Sequence, residues 1–242
     1  MRVVFSLISL LLLLFNNSLS AQFLKKNNAA DFSLSSNFNQ SAVAGSVFHK
    51  HQFGKKKRIN LGYGLRFTGN FGSNSNFITA PANLTSGNTG LGVIFSEILL
   101  NNLDTISFAK HQVNSLNLAV YLGFQVNEKI GLEFNIDAVG FSFGSNQTAD
   151  YTSSKRTQSP NKNARQAAKV TGFNALLTSD NDLGSLNSEL LLRYKINPKF
   201  DFKVGATFVF TEFTTHENLF LDNNRFRNKS LQPMIGFSYH IN

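Results

Sequence analysis

The sequence predicts an all-β fold, namely an eight-stranded antiparallel up-and-down transmembrane β-barrel with short periplasmic turns and long extracellular loops. Three observations lead to this prediction. Apolar and polar residues alternate along eight segments, the connections between segments alternate between short and long, and an export signal precedes them. A period of two places one set of side chains on each face of a strand, and an apolar outer face with a polar inner face is typical of membrane barrels.

The clearest alternation lies in a hairpin at residues 114–126 and 129–143. Apolar residues occupy every second position from Leu116 to Val126, while Glu133 and Asp137 lie on the opposite face of the second strand. About nine to eleven tilted residues cross a bilayer core, so both strands are long enough to do so. A soluble β-sandwich, with the carboxylates in water and the apolar stripe in its core, has the same periodicity. The connections and the export signal favour the barrel.

The same alternation predicts six further strands, at residues 30–39, 42–53, 59–71, 183–196, 200–213 and 231–241. In the strand at 183–196 the pattern places Leu186 and Leu190 on the outer face. In the strand at 42–53 the register stays open, because Val43 and Val47 compete with Ala42 and Phe48 for the outward positions.

The connections differ in length according to the end of the sheet at which they lie. Three are short and contain lysine, at 54–58, 127–129 and 197–199, and three are long and polar, at 72–111, 144–181 and 214–228. We interpret the long segments as exposed loops, with the connection at 39–41 as a short exception. Short turns at one end and long loops at the other are typical of outer-membrane barrels.

The N-terminus has the pattern of a secretory signal peptide at residues 1–21. Arg2 precedes an apolar run of about thirteen residues, which ends in small residues before Gln22. The run is too short for a spanning helix, which counts against an uncleaved anchor. Residues 22–28 are then a periplasmic linker and residues 29–242 the barrel. The chain contains no cysteine, which excludes a lipoprotein anchor after the signal, disulfides and thiol chemistry.

The composition is unusual for a soluble domain. Only 15% of the residues are charged and 25 are phenylalanine, while the formal net charge is +9. An exported chain rarely meets nucleic acid, so none is expected as a partner. The basic residues lie in turns and loops, and we expect attraction to outer-membrane lipids, especially the anionic headgroups of lipopolysaccharide. A role of this charge in solubility during transit stays equally open.

The pattern as a whole resembles the small eight-stranded outer-membrane barrels, the group of the OmpA transmembrane domain, OmpX, OmpW and PagP, in a style similar to that of the Bacteroidota. In the final strand, Gly236, Tyr239 and Ile241 match the spacing of the terminal signal that the barrel-assembly machinery recognises. The sequence departs from that signal at Met234, where a polar residue is usual, and at Asn242, where an aromatic residue often ends the chain. The resemblance implies location in a Gram-negative outer membrane and the assembly machinery as a partner during insertion.

Charged residues on the predicted inner faces form a candidate lumen network. Eight strands enclose a space that side chains can fill, and buried charges are costly unless they are paired. We therefore expect ion pairs that keep the barrel closed, with a gated ion path or a proton-linked site as the alternative. The predicted members are Arg66, Glu133, Asp137, Glu189, Arg193, Lys195, Asp201 and Lys203.

No pattern of catalytic, metal or cofactor residues stands out. Candidates for a lipid-modifying site near the outer ends are His111, His216, Ser179, Asp180 and Asp182, but their spacing matches no nucleophilic triad. Neither catalysis nor a cofactor is expected.

A histidine pair is a further candidate for metal binding, and two glycine-containing segments are candidates for nucleotide binding. His49 and His51 share one strand face, yet without a third ligand nearby they make a poor metal site. The glycine-containing segments lack a phosphate-loop lysine, so nucleotide binding is not expected either.

The sequence thus favours a non-enzymatic structural or interaction protein, such as an accessory subunit of a larger outer-membrane complex that contacts other outer-membrane proteins. Long loops on a barrel too narrow for a pore motivate this reading. One alternative is a carrier or narrow channel for small hydrophobic molecules, for which Leu191 and Val209 are the apolar residues on the inner face. A second alternative is a lipid-modifying enzyme.

Overall fold

The computed structural model describes residues 28–86, 99–153, 155–177 and 181–241. They form an antiparallel all-β structure of eleven strands in one sheet. The predicted signal peptide at 1–21 and all but the last residue of the predicted linker at 22–28 lie outside this part of the chain. The strands are β1 (Asn28–Ser36), β2 (Gln40–Phe53), β3 (Ile59–Thr79), β4 (Thr105–Gln125), β5 (Ile130–Phe143), β6 (Gln147–Thr152), β7 (Arg165–Val170), β8 (Phe173–Ala175), β9 (Asn187–Lys195), β10 (Phe200–Thr215) and β11 (Arg225–Ile241).

Eight long strands follow one another up and down in chain order. Each of the strands β1 to β4 pairs with the strand that follows it in the chain. β5 then pairs with β9, β9 with β10, and β10 with β11. β11 pairs in turn with β1, from Asn28↔Ile241 to Ser35↔Met234. The antiparallel all-β prediction is confirmed, and each of these eight strands overlaps one of the predicted segments. The total of eleven strands differs from the predicted eight.

The two faces of the long strands differ as the periodicity predicts. Large apolar side chains, for example Leu118 and Leu122, are exposed on the outer face of each of the eight strands. The open register of β2 is also settled, because Phe48 and Lys50 are buried on the inner face and Val47 is exposed. Lys50 can be accommodated inside because acidic residues of other strands face it there.

A β-bulge changes the phase of β5 partway along its length. The pairing with β4 shifts between Leu118 and Ala119, so that Asp137 still faces inward while Val139 and Phe141 face outward. An extra residue on one strand of an antiparallel pair has this effect. One hairpin can therefore keep both of its apolar stretches on the outer face.

Two of the predicted loops are corrected by the structure. The segment 72–111 is partly strand, since β3 continues to Thr79 and β4 begins at Thr105. The segment 144–181, predicted as exposed loop, contains β6, β7 and β8. Its alternation is present but weak, because only a few small or apolar residues mark the inner face, namely Ala149, Tyr151, Ala168 and Val170. The prediction gave more weight to the polar composition than to this alternation.

The third long segment, 214–228, is also shorter than predicted, because β10 runs to Thr215 and β11 begins at Arg225. In addition, Leu186 does not face outward as predicted but is buried, since β9 begins only at Asn187 and the chain before it turns inward.

The ends of four long strands and the β6–β7 hairpin form a second, smaller circuit of pairings. β6 pairs with β4, β7 pairs with β6 and with β10, and the far ends of β3 and β11 pair with each other through Phe226↔Thr79. Together with the β3–β4 and β10–β11 pairs, six strands are joined in this circuit. The sheet thus narrows from eight strands to six at the end with the long connections.

Helical structure is scarce in the described residues. One short helix, α1 (Ala82–Thr85), and single 3₁₀ turns at Leu100–Asn102, Arg156–Gln158 and Phe220–Asp222 lie in the connections. No helix in the described ranges has the length and apolar character needed to cross a membrane.

Candidate functional site

The inner face near the short turns holds a group of ion pairs, which we call the lower ion cluster: Asp31, Lys50, Glu133, Arg193, Asp201 and Lys203. Glu133 lies at its centre and is 2% exposed. Its carboxylate oxygens lie 2.6 Å from Nζ of Lys203, 3.2 Å from Nε of Arg193 and 3.9 Å from Nζ of Lys50. The hydroxyl of Tyr121 donates a further hydrogen bond to it at 2.6 Å.

The other carboxylates of the cluster share these cations. Lys203 also contacts Asp31 at 2.6 Å, and Asp31 accepts a hydrogen bond from the Ser238 hydroxyl. Arg193 donates to Asp201 at 2.9 Å, and Nε2 of His240 lies 2.6 Å from the same carboxylate. Five strands, β1, β2, β5, β9 and β10, contribute the six side chains of the cluster, so the cluster joins strands across the interior as well as along the sheet.

A second layer of ion pairs lies on the inner face next to the lower ion cluster. Arg66, 1% exposed, lies between the carboxylates of Asp137 at 3.4 Å and Glu189 at 3.3 Å. Asn117 donates to Asp137 at 2.8 Å, and Asn135 donates to Glu189 at 2.9 Å. The carboxylates are therefore held by amides as well as by the guanidinium, as buried charges require.

Apolar side chains fill the six-stranded circuit at the other end, and we call this group the apolar cap. The ring centroids of Phe108 and Phe213 are 4.5 Å apart, and Phe77 contacts the Phe213 ring edge-on at 5.3 Å. All three are essentially inaccessible to solvent. The members of the cap are Phe77, Ile106, Phe108, Val113, Ala149, Tyr151, Ala168, Val170, Phe213, Leu219 and Phe226.

Polar groups border the apolar cap and are paired there. Glu212 is fully buried and accepts hydrogen bonds from Arg225 at 2.8 Å and from Arg227 at 2.9 Å. The hydroxyl of Tyr151 donates to Asp104 at 2.5 Å. Burial, followed by this hydrogen bond to Asp104, raises the pKa of Tyr151 above its ordinary value.

His111 lies at the edge of the apolar cap that is nearer to the ion-paired layers. It precedes the part of β4 whose apolar side chains are exposed on the outer face. Its ring packs edge-on against Phe77 with centroids 5.2 Å apart, and Nε2 lies 3.1 Å from the side-chain oxygen of Asn70. Burial lowers the pKa of His111 to about 4, so the imidazole is neutral at neutral pH. The space for the ring depends on Gly72, where a Cβ would lie 2.0 Å from Cε1 of His111.

Seven of the eight predicted network residues lie in the two ion-paired layers. The exception is Lys195, which is half-buried at the short-turn rim, and no ion pair of its side chain is present among the described residues. Lys195 is the last residue of β9 and of its pairing with β10, which puts the ammonium group within reach of water.

Sequence reasoning missed three members of this region: Asp31, Lys50 and His240. Asp31 is in phase with the inward Ser33, so alternation could have identified it. Lys50 required the register of β2, and His240 required knowledge that β11 pairs with β10 beside Asp201.

The three candidates for catalysis that the structure describes, His111, His216 and Asp182, have other partners or are exposed. His111 contacts an amide rather than a nucleophile, His216 is exposed, and Asp182 accepts a hydrogen bond from the backbone of Leu177. Ser179 and Asp180 lie outside the described residues. Among the described residues, no group of three or more histidine and acidic side chains has the arrangement of a metal site.

The His49 and His51 pair forms a contact between rings, with centroids 4.5 Å apart. Nδ1 of His49 also lies 2.5 Å from the side-chain oxygen of Asn28. These contacts give each imidazole a partner within the protein.

Two other groups predicted from the sequence can also be located. Leu191 and Val209 are buried on the inner face, packed rather than exposed to an open space. Along β11, Gly236 faces inward, Tyr239 faces outward and Ile241 is the last strand residue. Recognition of these three by the assembly machinery stays a prediction.

The chain is similar to solved structures of membrane barrels. Neisserial surface protein A matches with a TM-score of 0.37 and 7% identity, covering 88% of this chain and 94% of its own. The outer membrane protein Ail of Yersinia pestis matches with 0.36 and 9%, over 89% and 99%. A transmembrane β-barrel designed de novo matches with 0.33 and 10%, over 89% and 96%. No family model and no curated protein matches the sequence.

Proposed function

We propose that this chain is a closed, non-enzymatic, eight-stranded outer-membrane β-barrel that acts as a structural or interaction protein at the cell surface. The observation that carries the proposal is the filled interior. Ion-paired layers occupy the inner face near the short turns, and the apolar cap occupies the opposite end. A passage with both fillings has no continuous aqueous path.

Two features support insertion into a membrane. Large apolar residues are exposed on the outer face of all eight long strands, a surface far larger than the few hundred Å² typical of soluble monomers. The pairing of β11 with β1 leaves no free edge among these strands, and a membrane-spanning sheet needs that closure because lipid cannot satisfy backbone hydrogen bonds. Charges on the inner face and apolar residues on the outer face suit this environment and no aqueous one.

The end with the long connections supports an interaction role. β6 and β7 extend the wall beyond the apolar stripes, and the apolar cap holds this region together as a folded platform. Surface segments that a rigid scaffold positions commonly carry binding residues. The platform would present a defined surface to other outer-membrane or extracellular proteins.

The closed state can be tested in planar bilayers with the purified full-length protein. Folding is checked first, by the change in gel migration on heating that membrane barrels show. The folded protein is expected to give no stable conductance steps, because both ends of the interior are filled. Reproducible steps from protein that passes the migration test would contradict a closed barrel.

The interaction role can be tested by affinity purification in mild detergent. Wild type is expected to retain other outer-membrane proteins. A variant in which residues 146–171, which contain β6 and β7, are replaced by a short Gly-Ser linker is expected to lose them and still pass the migration test. Recovery of the barrel alone from wild-type cells would count against the accessory-subunit role.

The alternative role as a carrier of small hydrophobic molecules has one supporting observation. A groove of about 530 Å³ crosses β10, β11, β1 and β2 at Val204, Pro233, Leu34 and Val43. If the groove binds a cargo, Pro233→Phe should fill it and reduce the amount of apolar compound that copurifies. Unchanged recovery of such compounds would leave the groove as part of the lipid-facing surface.

A further inference from the structure

Basic residues are concentrated at the end of the sheet that carries the short turns. Three turns lie there, between β2 and β3, between β4 and β5, and between β9 and β10. Seven cations occupy these turns and the adjoining strand end, against the single carboxylate of Glu128. We call these cations the basic rim: Lys55, Lys56, Lys57, Arg58, Lys129, Lys195 and Lys199.

The basic rim contains the whole excess charge of the chain after residue 27. Outside the rim, residues 28–242 contain thirteen lysines and arginines and thirteen aspartates and glutamates. The interior and the long-connection end together therefore have no net charge, whereas the short-turn end has a net charge of +6. Charge segregated in this way indicates a partner at that end.

The cations of the rim are available to such a partner. All are exposed except Lys195, which is half-buried. Within the part of the chain that the structure describes, no ion pair joins any of them to an acidic side chain, whereas Lys50, Arg66, Arg193 and Lys203 in the interior are all paired. Seven like charges on one rim repel one another unless anions from outside the chain neutralise them.

The rim also lies directly beside the apolar outer surface. Phe53 and Ile59 flank the first turn, and Ile196 and Phe200 flank the third, and all four are exposed. Because each turn has only four or five residues, its lysines stay close to the end of the apolar outer surface. In a bilayer that is the depth of the lipid headgroups, where lysine side chains extend toward phosphate.

We propose that the basic rim binds the phosphates of anionic phospholipids in the leaflet at the short-turn end. The inference rests on the proposed function, because it requires a membrane-inserted barrel. Charges distributed over three turns around the circumference fit a surface of headgroups better than one compact ligand, and cations near an anionic membrane surface are attracted to it individually. In the proposed orientation this leaflet is the periplasmic one, and binding to lipopolysaccharide stays a separate prediction from the sequence.

The test uses the full-length protein in nanodiscs of phosphatidylcholine and phosphatidylglycerol. The measurement is the ratio of the two lipids that remain bound when the disc is removed in the mass spectrometer. The rim variant K55Q/K56Q/K57Q/R58Q removes four cations from one turn. Its matched control, K110Q/R156Q/K162Q/K169Q, removes four exposed cations from the other end.

Wild type and the control variant are expected to retain phosphatidylglycerol in excess over its share of the disc, and the rim variant to lose at least about half of that excess. Raising the salt to about 0.5 M should weaken the enrichment, because screening shortens the range of these interactions. Equal enrichment in the rim variant, or loss in the control variant, would overturn the proposal.

Two further readouts separate the possible failures. The shift in gel migration reports whether each variant is inserted. A wild type that fails this test contradicts the proposed function, whereas an inserted wild type without lipid enrichment contradicts only the present inference. Fluorescent polyglutamate is then offered to protein in pure phosphatidylcholine discs. Binding of polyglutamate without any preference for phosphatidylglycerol would assign the rim to a soluble acidic partner and overturn the lipid assignment.

Discussion

Buried charged side chains in the interior differ in the number of oppositely charged groups that they contact. Glu133 has three cationic partners, whereas Asp31 has one, Lys203, besides the hydroxyl of Ser238. Removing one partner of a buried ion pair costs more than removing both, because the remaining charge is left uncompensated. Removing Lys203 should therefore destabilise the fold mainly by leaving the Asp31 carboxylate without a cation.

We expect Lys203→Met to lower the free energy of unfolding by about 3 kcal/mol, because the carboxylate of Asp31 loses its cation. The double variant Asp31→Asn with Lys203→Met should recover a substantial part of this loss. Urea unfolding in lipid vesicles, followed by tyrosine fluorescence or circular dichroism, measures the free energy of unfolding of both variants. Strictly additive effects of the two substitutions would contradict the pairing.

The neutral state of His111 makes stability depend on pH. Burial lowers its pKa from 6.5 to about 4 in the folded protein. The unfolded chain therefore binds a proton at His111 at a higher pH than the folded chain does, and the contribution to stability is lost as the pH falls from about 6.5 to about 4. At its full extent the loss amounts to about 3 kcal/mol.

His111→Gln should reduce the decline in unfolding free energy between pH 6.5 and pH 4. Nuclear magnetic resonance of the histidine side chains gives the direct measurement. A His111 imidazole that titrates near pH 6.5 in the folded protein would show that the ring is not buried as described.

Among the elements, the β6–β7 hairpin has the largest effect on the end with the long connections. It closes the six-stranded circuit by pairing with β4 at Ile106↔Tyr151 and with β10 at Phe213↔Val170. Its inward residues cover part of the Phe108 and Phe213 rings in the apolar cap. The eight long strands pair without it, so the two regions should unfold separately.

Replacing residues 146–171 by a Gly-Ser linker should expose the aromatic residues of the cap and leave the membrane-spanning part intact. Expected results are binding of a hydrophobic dye and proteolysis at the long-connection end, with an unchanged shift in gel migration on heating. Arg165→Gln is the control, because its ion pair with Asp150 lies on the surface and contributes little. Loss of the gel shift in the deletion variant would mean that the hairpin is needed for the whole fold.

At the scale of the whole molecule, two groups of side chains fill the interior, the ion-paired layers and the apolar cap. The variant in which a Gly-Ser linker replaces residues 146–171 should therefore give no conductance steps in planar bilayers, because the ion-paired layer around Arg66, Asp137 and Glu189 is still present. Conductance steps in this variant, with none in wild type, would show that the cap is the only closure.

The orientation in the membrane is also a property of the whole molecule, and the absence of cysteine makes it easy to measure. Single variants Asn163→Cys, between β6 and β7, and Lys56→Cys, in the turn between β2 and β3, place one thiol at each end. In intact cells a membrane-impermeant maleimide should label the first and not the second, and permeabilised cells should label both. The opposite labelling would invert the proposed topology.

The positions of the long strands and the direction of most of their side chains follow from the sequence. Strict alternation, as from Leu116 to Val126, allows one arrangement only, because a shift of one residue would exchange the two faces. In the structure, seven of the eight predicted inner charges lie in the two ion-paired layers. Where alternation was mixed, as in β2, the position of Lys50 could not be obtained in advance.

Which residues meet across the interior was decided only by the tertiary structure. The contact of Lys203 with Asp31 joins positions 172 residues apart, and a local pattern contains no information about such a pair. Likewise, the weakly alternating segments of β6 and β7 become strands because β4 and β10 offer free backbone groups beside them and the aromatic residues of the cap need cover. Local periodicity thus determined which way each strand faces, whereas pairing and burial between distant segments determined what fills the space they enclose.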